Sequence, residues 1–164
     1  MAGLLATLAC GATSLAAQGH GHAAGHVHGD SAFHALEARG TPVMGVDQRT
    51  ATHTFDDLPD GGRIALEAAP GDSAGVAGIR AHFAEIAMRF AAGDFTLPGL
   101  VHAEAVPGVD VLAARRARLR YERQELPRGA ALRVRTSDPE ALRALHRFLA
   151  YQRAEHRAGG RGPG

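Results

Sequence analysis

Residues 52–90 read THTFDDLPDGGRIALEAAPGDSAGVAGIRAHFAEIAMRF and constrain the fold more than any other part of the chain. Two short alternating runs flank an Asp-Gly-Gly turn, and a longer apolar pattern of helical period follows. In the first run, residues 52–56, His53 and Phe55 share one face of a strand and Thr52, Thr54 and Asp56 the other. Gly61 and Gly62 suit the positive φ of a turn over residues 58–62. The second strand is expected over residues 63–69, where Ile64, Leu66 and Ala68 alternate with Arg63, Ala65 and Glu67. Pro70 ends it. Asp72 or Ser73 caps a helix over residues 74–92 that stops at Gly93. Ile79, Phe83, Ile86 and Phe90 form its apolar stripe.

A looser copy returns in residues 119–153. The segment YERQELPRGAALRV aligns with TFDDLPDGGRIALE when Leu126-Pro127 is placed over Leu58-Pro59. Ser137 or Asp138, followed by Pro139, caps a final helix running to about His156. The fold class is therefore α+β. Two β-hairpin–helix units form a four-stranded antiparallel sheet packed by two helices, a two-layer solution that buries every apolar face. Between the units, residues 93–108 are rich in Pro and Gly and make a connection, followed by a short helical turn over residues 110–115. Aromatic residues are only 5% of the chain, so Leu, Ile, Val and Ala fill much of the core.

The ends read differently. Residues 1–17, MAGLLATLACGATSLAA, are small, apolar and uncharged, as in a secretory segment, and predict a periplasmic or otherwise exported protein. The run is too short for an ordinary membrane span, and none is expected after processing. Residues 18–40 form a His-rich flexible linker with a short helix over residues 31–40 ending at Gly40. Residues 41–157 make the α+β domain, and residues 158–164 a disordered tail. Cys10 is the single cysteine and lies in the apolar run, so processing there removes disulfides and thiolate ligands from consideration. The charge balance of 18 basic to 17 acidic residues, every basic one an arginine, argues against a dedicated nucleic-acid binder.

Chemistry points to imidazole. His20, His22, His26, His28 and His34 sit among glycine and alanine, a composition that wraps divalent ions without fixing their geometry. In the domain, His53, His82 and His102 fall on the first strand, the helix after it and the connection beyond. Their spacing matches no standard zinc motif, so a shared metal site depends on three-dimensional convergence. Met44 or Met88 offers a thioether for copper. Glu85, Glu104, Asp94 or Asp47 offers oxygen or an orienting partner. His146 reads as a core-edge residue, and His156 as a ring interacting with the carbonyls at the end of the last helix. Copper or zinc buffering or delivery, with a metal-handling partner protein, is the leading expectation. Haem ligated by one His or a His/Met pair ranks below it, since no aromatic wall is evident. A small hydrolase or lyase using His with Asp or Glu is an alternative, as is a non-catalytic ligand-binding or interaction module. No phosphate loop or dinucleotide fingerprint is present.

The segments MGVDQRTATHTFDDLPDGGRI, IRAHFAEIAMRFAAGDF, HAEAVPGVDVL and LRALHRFLAYQRAEHRAGG resemble a family of small exported bacterial proteins, over residues 44–160. That family has no established activity, although some members are labelled aspartate carbamoyltransferase. The phosphate-binding motif such an enzyme needs is not visible here. Members of the family carry adjacent histidines where this chain has His53-Thr54, and a further histidine where it has Glu85. The resemblance implies the same α+β fold and an exported setting.

Overall fold

The computed structural model describes residues 30–162. Helix α1 (Asp30–Met44) precedes strands β1 (Thr52–Leu58) and β2 (Gly61–Glu67) and the long helix α2 (Ser73–Ala92). Two short helices follow, α3 (Thr96–His102) and α4 (Val109–Ala114). Strands β3 (Arg120–Leu126) and β4 (Gly129–Arg135) and helix α5 (Pro139–Glu155) complete the fold. The α+β arrangement read from sequence is the one observed: a four-stranded antiparallel sheet of order β1-β2-β4-β3. Both hairpins close through two residues, Pro59-Asp60 and Pro127-Arg128. Leu58 pairs with Gly61, and Leu126 with Gly129. Gly61 and Gly62 thus belong to β2 rather than to the turn. The bare Cα of Gly62 is where α5 rests, since a Cβ there would lie 2.4 Å from Leu149 Cδ1.

One face of the sheet carries the core. Phe55, Ile64, Leu66, Leu132 and Val134 are buried against α2, which lies over β3 and β4, and α5, which lies over β1 and β2. The α2 stripe is buried as its periodicity requires, through Ile79, Phe83, Ile86 and Phe90. The Asp72 side chain accepts from Gly75 N–H at its start, and Gly93 closes it at φ 83°. Each large side chain of that stripe contributes about 1.5–3 kcal/mol by leaving water.

Three features depart from the sequence reading, and each bears on the site. First, α1 does not stop at Gly40 but runs to Met44 with Pro42 in its last turn. Gly40 serves packing: a Cβ there would lie 3.0 Å from Met44 Cε. Gly45, at φ 69°, then crosses Gly78 of α2 so closely that a Cβ on Gly78 would sit 2.3 Å from Gly45 O. Second, the 93–108 connection contains the helix α3, and Arg39 of α1 holds its end through Nε to Val101 O at 2.7 Å. Third, the segment after α5, expected to fray, lies along the outer edge of β1. Phe55 N–H donates to Gly159 O at 3.0 Å and Asp57 N–H to Arg161 O at 2.8 Å. An edge strand leaves its outward backbone groups unpaired, and the tail supplies their partners.

Arg153 secures that edge. Its guanidinium reaches the Asp57 carboxylate at 2.9 and 3.2 Å, Phe55 O at 2.8 Å and Arg161 O at 3.2 Å. The Asp57 side chain is 1% exposed. Removing the cation alone strands a buried carboxylate, so Arg153→Ala should cost about 3–5 kcal/mol, whereas pairing Arg153→Met with Asp57→Asn should recover much of the loss. Urea unfolding checks this; a loss below about 1 kcal/mol in the single variant would show the pair to be solvent-screened.

Candidate functional site

A small chamber of about 70 Å³ opens where β1, α1, α2, α3 and α5 meet. Its walls are largely apolar, formed by Phe55, Leu66, Phe83, Ile86, Phe90 and Val101. Into it project His53, His82, His102 and His156, with Met44 and Gln152. The local reasons are plain. His53 shares the inward face of β1 with Phe55, and the two rings stack at 6.0 Å. His82 precedes Phe83 at the margin of the buried α2 stripe. His102 ends α3, which Arg39 pins. Gln152 and His156 continue the inward side of α5 beyond Leu145, Phe148 and Leu149, at helical spacing.

Three of the rings form a chain of contacts rather than a closed cage, and the fourth, His82, stands edge-on to Phe83 with centroids 5.9 Å apart. His156 stacks on His53 with centroids 4.9 Å apart and meets His102 edge-on at 5.1 Å. His53 Nε2 lies 3.4 Å from Met44 Sδ. His102 Nε2 lies 3.1 Å from Gln152 Oε1. The Nδ1 atoms of His82 and His102 and Nε2 of Gln152 are buried with no hydrogen-bond partner. Buried polar atoms of native proteins are rarely left so, and those that are commonly mark a functional site. Among the described residues, no group of three or more His, Cys, Asp or Glu side chains is arranged as it stands to hold a metal ion.

Burial sets the protonation state. It lowers the pKa of His53 to about 4, helped by the charge that His82 would carry. It lowers His156 to about 2, with His53 and His102 adding repulsion. Burial also lowers His82, against Glu85 and a hydrogen bond to the Val43 backbone, and lowers His102, against its bond to Gln152. At neutral pH all four are uncharged imidazoles, the form that ligates metals.

The residues proposed from sequence divide sharply. His53, His82 and His102 all reach the chamber. His34 does not: it is exposed on α1, with Nδ1 3.1 Å from Glu37 Oε2. His20, His22, His26 and His28 lie outside the described residues. Met44 is in the chamber, whereas Met88 is 69% exposed on the far side of α2. None of the four suggested carboxylates lines it. Glu85 and Asp94 pair with Arg89 at 2.8 and 2.7 Å, Asp47 pairs with Arg49 at 3.1 Å, and Glu104 bonds the Tyr151 hydroxyl. His146 is a stitch between α5 and the first hairpin, with Nε2 at 3.1 Å from Leu58 O and 2.9 Å from Gly61 O. Gln152 is the residue that the sequence reading missed, and His156, read there as a partner of the terminal helix carbonyls, instead turns its ring into the chamber against His53 and His102. The available signal was the extension of the α5 stripe in steps of three and four. Comparison with family models, with curated proteins and with solved structures finds no match.

Acid should therefore unfold the protein by a specific route. The folded pKa values lie below the unfolded value of 6.5, so the unfolded chain binds more protons below that pH. Stability is fully present above about pH 6.5 and falls as the pH drops toward 4. By pH 5, His53 and His156 should each have removed about 2 kcal/mol. Thermal or urea unfolding of the metal-free protein between pH 8 and 5 measures this. A flat profile across that window would mean that the rings are solvated.

Proposed function

We propose that this protein binds a soft metal ion in the chamber, copper(I) in preference to zinc, and buffers or delivers it outside the cytoplasm. The observation that carries the reading is the contact of 3.4 Å between His53 Nε2 and Met44 Sδ, with His156 stacked on the same imidazole. Bonds of about 2.0 Å to nitrogen and 2.3 Å to sulfur in a tetrahedral site put the two ligand atoms about 3.5 Å apart. Rotation of His156 about its side-chain torsions and the unpartnered Nδ1 of His102 complete the set; the His156 ring now stands stacked on His53.

Three further observations support copper(I). The donor set is imidazole and thioether, which favours a soft ion. Among the described residues no carboxylate lines the chamber, so a monovalent cation is less costly to bury there than a divalent one. A chamber of about 70 Å³ suits an ion, not a macrocycle, and haem is disfavoured. The histidine-rich stretch of residues 20–34 supports a gathering role for the amino-terminal segment, and the apolar run before it supports export. Among the described residues, no helix is long and apolar enough to cross a membrane.

The test uses the full chain with His20, His22, His26, His28 and His34 replaced by Ala, so that the amino-terminal tract is silent. Titration against a competing copper(I) chelator should show one retained site. Met44→Leu, which conserves volume and should cost under about 1.5 kcal/mol in stability, should weaken copper(I) at least tenfold and leave zinc nearly unchanged. His156→Ala should weaken both. Loss of all copper binding on silencing the tract would remove the chamber from consideration.

A further inference from the structure

His102 and Gln152 are 7% and 5% exposed, and their side chains meet at a single polar contact, Nε2 to Oε1 at 3.1 Å. An amide oxygen only accepts, so a hydrogen bond there requires the ring proton to sit on Nε2. A neutral imidazole has one N–H. Nδ1 then carries a bare lone pair, and Nδ1 is the atom buried in the structure without a partner. We propose that Gln152 is a positioning residue: it fixes His102 as the Nε2–H tautomer and so presents Nδ1 to the metal. This deepens the metal-binding reading and rests on it.

Neither partner is free to drift from the contact. The His102 end of α3 is held by Arg39, whose Nε reaches Val101 O at 2.7 Å. Tyr151 packs its ring against the imidazole at 4.9 Å, and its hydroxyl bonds Glu104 beyond. Gln152 stands on α5 one turn before His156, so the helix that delivers one ring to the chamber also orients another. With the amide reversed, its NH2 would donate to Nε2 and the ring proton would move to Nδ1. That proton would be buried with no acceptor, and the nitrogen could not ligate. An orienting hydrogen bond on the second nitrogen is the usual arrangement for a metal-bound histidine.

The experiment is imidazole NMR on the metal-free full chain, with the amino-terminal histidines silenced as above, followed by copper(I) competition. The wild type should show a slowly exchanging His102 Nε2–H proton and a lone-pair signature at Nδ1. Gln152→Leu should move that proton signal upfield and lower copper(I) affinity about 10–100-fold. Gln152→Glu, which keeps an acceptor, should retain the tautomer, shift the proton downfield and restore most of the affinity. A wild-type proton on Nδ1, or a Gln152→Leu variant with unchanged signals and affinity, would overturn the proposal. If Gln152→Leu does not fold, the wild type and Gln152→Glu decide it, and an unmoved proton signal in the latter counts against it. A Gln152-dependent Nε2–H proton in a chain that binds no copper would overturn the metal reading and leave only the tautomer assignment standing.

Discussion

The buried ion pair between Asp57 and Arg153 is the contact on which the rest of the structure depends. A carboxylate 1% exposed on the inner face of an edge strand is tolerable only if a cation meets it there. Arg153 also donates to backbone carbonyls of β1 and of the terminal segment. One side chain therefore fixes the last turn of α5 against β1 and lays the tail along the sheet edge. His156 follows three residues later. Its stacking on His53 is a consequence of where Arg153 must sit. Such a pair adds little net stability against an apolar equivalent, but it sets a register that apolar contacts leave loose.

Around that register, the chamber breaks the rule that buried polar atoms are paired. Two imidazole nitrogens and an amide nitrogen have no partner, inside walls of Phe, Leu, Ile and Val. Each costs about 1–3 kcal/mol relative to a satisfied group. The surrounding core offsets this through α2 and α5, whose apolar stripes are continuous and well capped. Gln48 Oε1 and the Tyr121 hydroxyl are unpartnered outside the chamber, but the three nitrogens inside it lie together, the pattern expected where a ligand completes the hydrogen bonding or coordination. The same burial that leaves the nitrogens unpartnered keeps the rings neutral, so readiness to ligate and sensitivity to acid have one physical cause.

The parts of the fold legible from sequence were those in which local chemistry and burial agree. Asp72, Gly93 and the Asp138-Pro139 pair bound helices α2 and α5 by capping alone, and alternation in β1 and β2 marked the inward faces. The departures share a different cause. Gly40 and Pro42 look like a helix end, yet α1 continues because Gly40 lets Met44 fold back against it and Pro42 lies in the last turn. The glycine-rich terminal segment has no apolar pattern at all; its place along β1 comes from backbone hydrogen bonds, which any sequence able to take the path can make. At Gly160, where φ is 135° and a Cβ would fall 1.9 Å from Phe55 O, only glycine can.

The candidate site shows the same division. The amino-acid sequence determined which side chains were available: His53 inward with Phe55, His82 at the edge of a buried stripe, His102 in a break between units, and one methionine close before β1. Periodicity along each element follows from backbone geometry, so those facings were readable one element at a time. Tertiary structure alone decided that they line one chamber, that His156 joins them, that Gln152 stands behind His102, and that among the described residues no carboxylate lines it. Convergence depends on crossing positions of helices and strands, set by Gly45 against Gly78, Arg39 against Val101, and Arg153 against Asp57. Those contacts join residues far apart in the chain, and no local pattern encodes their distance.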